Sequence, residues 1–186
     1  MAAPVKRATL DDLNGVEGKA ELIRGAIVRF MASGDLPTDV ALEITISLRT
    51  YARKKKRGVA KGDGVGYAVP ELTSGRESFS PDASYFDGPR PINRMRFIEG
   101  PPKFAAEVRS ENDYGPAAEV EMAAKRDDYF EAGTLVVWDV DPIAETVSVY
   151  RSTAPDQPLI FHRGEIADAE PAVPGWRMPV DEMFDV

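Results

Sequence analysis

The hydrophobic pattern along the chain alternates between two periods, and each change marks an element. In "PTDVALEITISLRTYARKKKRG" (37–58), Val40, Ile44, Leu48 and Tyr51 recur at helical spacing and make one face of a long helix apolar. Thr38 is placed to cap its start and Gly58 to end it. "AELIRGAIVRFM" (20–31) instead reads as two apolar stretches joined at Arg24-Gly25, a hairpin. Short extended runs follow at "GYAVP" (66–70), "DASYF" (82–86) and "FAAEV" (104–108), then at "TLVVWDV" (134–140), "TVSVYR" (146–151) and "PLIFHR" (158–163). The stretch "DGPRPINRMRFIEGPPK" (87–103) is dense in Pro, Gly and Arg and is expected to be a loop over most of its length. A second helix is predicted over 116–132, opened by Pro116 and closed by Gly133. "VDEMF" (180–184) ends the chain in a helical turn. Residues 1–18 read as a loosely tied lead-in with a short helical piece around Leu10 to Leu13. The order is mixed α and β, with no internal repeat or dividing linker, so 1–186 is expected to be a single domain.

Composition narrows the chemistry. The 186 residues are 43% hydrophobic, enough for a sizeable core. No Cys is present, which removes disulfides and thiolate metal sites and fits a reducing compartment. No apolar run is long enough to cross a bilayer, and "MAAPVKRATL" lacks a signal peptide's apolar core, so the expectation is a cytoplasmic protein with no membrane partner. A net charge of −8 argues against a generic nucleic-acid coat, although an enzyme can act on nucleic acid through a local basic surface and a metal. The single histidine, His162, removes every His-rich metal site and has no serine or acid partner that spacing identifies.

The carboxylates carry the sharper signal. Strand alternation puts Ala105, Glu107 and Arg109 on one face, and groups Asp82 with Ser84 and Phe86. If these strands are neighbours, Asp82 and Glu107 converge, and two converging carboxylates repel unless a cation sits between them. Without Cys and with one His, that cation is a hard, oxygen-preferring one such as Mg²⁺ or Mn²⁺. The alternative is plain: Asp82 is a turn residue after Pro81, and Glu107 pairs with Arg109. In the second helix, Ala118, Met122 and Tyr129 form a stripe with Lys125 at its edge, whereas Glu121, Asp127 and Asp128 lie farther round. Lys125 either extends its amine to water or enters the carboxylate cluster.

The cationic run "YARKKKRG" (51–58) holds Arg53, Lys54, Lys55, Lys56 and Arg57. Such a run suits a helix C-terminus, or it tracks a nucleic-acid backbone. Arg90, Arg94 and Arg96 offer a second candidate surface. Trp138 and Trp176 read as core or rim rather than base-stacking groups, and Asp139 and Asp141 as turn-forming residues ahead of Pro142.

Taken together, "PD" (81–82), "EVRS" (107–110) and "KRDDYFEAGTLVVWDVDP" (125–142) resemble the Uma2 family of endonucleases within the PD-(D/E)XK nuclease superfamily. "ELIRGAIV" (21–28) resembles that family's first hairpin, and "PGWRMPVDEMF" (174–184) its closing segment. The resemblance implies a restriction-endonuclease-like α/β fold: a central mixed β-sheet flanked by helices, with an N-terminal hairpin and the active site at a sheet edge. It implies Mg²⁺- or Mn²⁺-dependent hydrolysis of phosphodiester bonds in nucleic acid, with DNA the expected substrate. Asp82, Glu107 and Glu21 would be the metal ligands, and Lys125 would position or deprotonate the attacking water. Arg109 stands where the superfamily usually has lysine, and would substitute for it or clamp the phosphate. Ser110 matches a family serine expected to cap the next segment. Cutting two strands suggests a homodimer. The chain departs from the family pattern in a longer stretch between Glu107 and Lys125, in Ala20 for an aromatic residue, and in a missing histidine near Asp39. A second reading from another class is a catalytically inactive binding or scaffold protein that keeps the nuclease fold. A glycosidase would need a sugar cleft that nothing in the chain indicates.

Overall fold

The computed structural model describes residues 7–186, so the first six residues of the lead-in lie outside it. The rest of the lead-in holds α1 (Leu10–Asn14), close to the expected helical piece. The hairpin follows as β1 (Ala20–Ile23) and β2 (Ala26–Arg29). Its turn places Arg24 and Gly25 at φ 53° and 70°, the left-handed pair that tight hairpins need.

The long helix α2 is Asp35–Lys55. It starts earlier than Thr38, with Gly34 at its N-cap, and Thr38 lies inside, donating its hydroxyl to Gly34 O at 2.7 Å. Pro37 is tolerated there because first-turn N–H groups have no intrahelical acceptor to lose. The helix ends at Lys55, before Gly58, with Lys56 left-handed at φ 54°.

The remaining elements are β3 (Val59–Gly62), β4 (Tyr67–Ala68), β5 (Ser78–Phe79), β6 (Ala83–Phe86), β7 (Ile98–Glu99) and β8 (Phe104–Val108). After them come α3 (Pro116–Ala132), β9 (Val136–Asp141), β10 (Thr146–Arg151), β11 (Ala154–His162), β12 (Ile166–Asp168), β13 (Arg177–Pro179) and α4 (Asp181–Phe184). Six strands form one mixed sheet in the order β11-β10-β9-β8-β6-β3. Within this sheet only β8 and β9 run parallel. Parallel neighbours cannot be joined by a tight turn, so α3 makes the crossover between them.

Each face of the sheet is covered. On one, Val40, Ile44 and Leu48 of α2 pack with Tyr85, Phe104, Ala106 and Val108. Trp138 and Trp176, expected in the core or at its rim, are buried there with ring centroids 4.9 Å apart. On the other, Ala105 and Val137 meet Tyr129 of α3, whose ring stacks on Phe79 at 4.1 Å. The hairpin is tied beside this second face: Leu22 N–H donates to Ser78 Oγ at 2.8 Å and Glu77 N–H to Leu22 O at 2.8 Å. Among the described residues, no helix is long and apolar enough to cross a membrane.

Candidate active site

Asp82 stands just before β6, and its N–H donates to Ala106 O at 3.1 Å. The β6–β8 ladder ends at the Ala83–Ala106 pair, and its register extended by one residue brings Asp82 level with Glu107. Directly opposed residues share a face. The two carboxylates therefore stand side by side at the C-terminal end of β8. One Asp82 oxygen accepts the Val108 N–H at 2.8 Å, and the other accepts Lys19 Nζ at 2.6 Å. Lys19 also pairs with Asp63 at 2.8 Å.

The crossover explains Lys125. The helix leaves the end of β8 and returns over the same face, bringing Lys125 Nζ to 2.8 Å from Glu107 Oε2. One turn on, the Tyr129 hydroxyl donates to Glu107 Oε1 at 2.6 Å. The first hairpin adds Glu21, which is completely buried. Its Oε1 accepts Ser80 N–H at 2.9 Å and lies 3.5 Å from Lys125 Nζ, and its other oxygen pairs with Arg76. Arg76 also donates to Asp128 at 2.8 Å. Asp128 is thus buried against the sheet side of α3, where helical spacing had placed it farther round; the guanidinium supplies the charge that admits it.

Burial pushes the Glu107 carboxyl above its ordinary range, and the neighbouring Asp82 charge adds to the shift against Lys125 and Lys19. Burial would also raise Glu21, but Lys125, Arg76 and the Ser80 N–H outweigh it and hold this carboxyl low. Burial works against the charged form of Lys125, and Glu107 and Glu21 overcome it, so the amine stays protonated above its ordinary value. Lys19 is held protonated in the same way by Asp82 and Glu107. Burial, with Glu107 and Glu21, keeps the Tyr129 phenol protonated well above its ordinary range.

Fully ionised, the five carboxylates of this network exceed its three cations by two charges. That excess suits a divalent cation, and Mg²⁺ needs only one or two carboxylates because it keeps several waters. Asp82 and Glu107 fit that role, their side chains being 14% and 20% exposed. Glu21 has both oxygens engaged by protein donors. Among the described residues, no three His, Cys, Asp or Glu side chains gather in a group that could hold a metal. A cavity of about 160 Å³ opens beside Asp82, between the sheet end and α2, with Ser33, Thr38, Thr45 and Asp63 in its walls.

Other expected residues lie elsewhere. Arg109 donates to both oxygens of Asp139, at 2.8 and 2.9 Å, and to Glu119, so its fork is occupied away from the Asp82–Glu107 pair. Asp139 is not a turn residue: it lies buried in β9, beside Glu107 in register, as the partner of Arg109. Asp141 does shape the turn, accepting N–H groups of Ile143 and Ala144. Ser110 donates to Asp113 in the turn before α3, whose N-cap is Gly115. Arg53, Lys54, Lys55, Lys56 and Arg57 are exposed at the C-terminal end of α2. Some thirteen residues separate Lys54 from Ala41 at the cavity wall, roughly 20 Å along the helix axis. His162 is exposed on β11.

Lys19 and Arg76 escape sequence reading. Lys19 had a faint signal, standing two residues before Glu21 and thus on its face; Arg76, in a loop between short strands, had none.

This arrangement of sheet, crossover helix and N-terminal hairpin is a restriction-endonuclease-like fold. It matches the crystal structure of "a putative nuclease belonging to DUF820" from Anabaena variabilis with a TM-score of 0.73. The two are 20% identical over 95% of this chain and 97% of that one. The chain belongs to the Uma2 family, described as "Putative restriction endonuclease", whose model matches residues 8–181. No curated protein matches the chain.

Proposed function

We propose that this protein is a Mg²⁺- or Mn²⁺-dependent endonuclease that hydrolyses phosphodiester bonds of nucleic acid, with DNA as its substrate. The observation that carries the reading is that Asp82, accepting the Val108 N–H, stands next to Glu107 at the end of β8, with Lys125 Nζ 2.8 Å from the glutamate. Family membership supports it. Asp82 and Glu107 would hold the metal, which lowers the pKa of bound water and neutralises charge developing on the phosphate. Lys125, 2.8 Å from Glu107, would position or deprotonate the attacking water, or take up phosphate charge. Glu21, Arg76 and Tyr129 position Lys125 and Glu107, and Lys19 orients Asp82. A cytoplasmic homodimer with two such sites would serve cleavage of both strands.

One observation favours a second reading. Lys19, Lys125 and Arg76 already neutralise the carboxylates, as they would in a nuclease fold kept as a binding scaffold. Calorimetry with Mn²⁺ separates the two. The wild type is expected to bind the ion and Asp82→Ala to lose it; absence of binding in both supports the scaffold. Supercoiled DNA incubated with Mg²⁺ or Mn²⁺ should be cut by the wild type and not by Glu107→Ala. Equal cutting by the variant overturns the assignment of Glu107.

A further inference from the structure

In this acidic chain, four cations cluster without a carboxylate. Lys61 lies on edge strand β3 opposite Ser84, which shares the Asp82 face and follows it by two residues, roughly 7 Å along β6. Arg49 projects from α2 nearby, and Arg90 and Arg94 from the loop between β6 and β7. Among the described residues, none of the four forms an ion pair, whereas Arg96 of the same loop pairs with Asp11 and Arg57 pairs with Asp87. Burial lowers the Lys61 pKa, and the charges of Arg90, Arg94 and Arg49 lower it further, so all three lie within reach of Lys61. Arg90 also acts on the Tyr67 phenol, whose hydroxyl is 2.9 Å from Ser84 Oγ. The loop leaves β6 after Phe86, and its arginines therefore lie near Lys61 on the outer strand and near Tyr67. It also carries two large apolar side chains in full solvent, Ile92 at 106% and Met95 at 92% exposure.

Repulsion among unpaired cations costs stability in the free protein, and a polyanion that spans them removes it. The guanidinium fork matches phosphate oxygens, and apolar side chains set between arginines suit the sugars and base edges of a groove. A nucleic acid offers both; an acidic protein surface offers only the charge. We propose that Arg49, Lys61, Arg90 and Arg94 form a track for the phosphate backbone of a nucleic-acid duplex, with loop 87–97 against its groove. The track delivers one phosphodiester to Asp82 and Glu107. Its destination rests on the hydrolase reading, but its binding of the duplex does not.

The test is anisotropy of a fluorescein-labelled DNA duplex in EDTA, where no metal chemistry takes part. Arg90→Gln/Arg94→Gln should weaken binding at least about tenfold and reduce the slope of log K against log salt by about two, near 0.9 for each phosphate that the protein ceases to neutralise. Lys54→Gln/Lys55→Gln, at the far end of α2, should leave both unchanged. All replaced side chains are exposed, and unaltered thermal melts confirm the fold. Equal affinity and slope in the Arg90/Arg94 variant, loss confined to the Lys54/Lys55 variant, or a wild type that binds heparin but no duplex each overturns the track. The same wild type, assayed with Mg²⁺, reports separately on the hydrolase. Duplex binding through Arg90 and Arg94 without cleavage keeps the track and removes the hydrolase; cleavage indifferent to both arginines does the reverse.

Discussion

Arg76 holds two buried carboxylates at once, with only 10% of its side chain exposed. Replacing it with Ala leaves Glu21 and Asp128 buried without their guanidinium, and breaking a buried pair from one side costs about 3–5 kcal/mol. Urea denaturation should show that loss. Glu21 gives a pH-dependent counterpart. Its carboxyl lies below the ordinary value of 4.5 in the folded state, so its contribution is full above that value and is lost as pH falls through the folded one. Circular dichroism across the acid transition should therefore find Glu21→Gln less stable near neutrality, with a shallower fall towards low pH. Asp82, Glu107, Lys125 and Glu21 were legible one residue at a time, from alternation and family motifs. Their partners Lys19 and Arg76 were not, because a pairing between segments sixty residues apart leaves no local pattern. Arg109 misled for a related reason: alternation correctly gave its face, but Asp139 and Glu119 captured its fork.

At the scale of elements, the tight passage from α2 into β3 makes a measurable demand. Gly58 has φ +63°, and a Cβ there would lie 2.3 Å from the Tyr85 ring, which packs under α2. Gly64 has φ +83° with nothing within 4 Å of the same position. Left-handed backbone costs an L-residue about 1–2 kcal/mol, so Gly64→Ala should lose about that much. Gly58→Ala must add the clash, and its thermal midpoint should fall clearly further. The second helix, Pro116–Ala132, was legible to the residue because Pro and Gly bound it chemically. Strands β3, β5, β7, β12 and β13 were missed: each has two to four residues, too few for a period to show clearly.

Across the whole molecule, a net charge of −8 hides a sorted surface. Acidic groups dominate on average, while among the described residues Arg49, Arg90 and Arg94, which form no ion pair, gather around Lys61 on the outer strand. The proposed homodimer has its own signature. Sedimentation equilibrium with duplex present should give twice the chain mass, and supercoiled plasmid should become linear without prior accumulation of open circles. Accumulated open circles and a single-chain mass would mean that each chain nicks one strand alone.

The amino-acid order by itself determined the two long helices, the hairpin and the principal strands, since periodicity and Gly or Pro punctuation act between near neighbours. It also determined that no thiolate or His-rich centre could form, and which carboxylates were worth following. Only the tertiary structure decided which cation meets Glu107, that Arg109 serves Asp139, and that Arg90 and Arg94 gather around Lys61. Those outcomes depend on Coulomb and hydrogen-bonding interactions a few ångströms long, and strand register and helix crossover alone bring distant residues within that range.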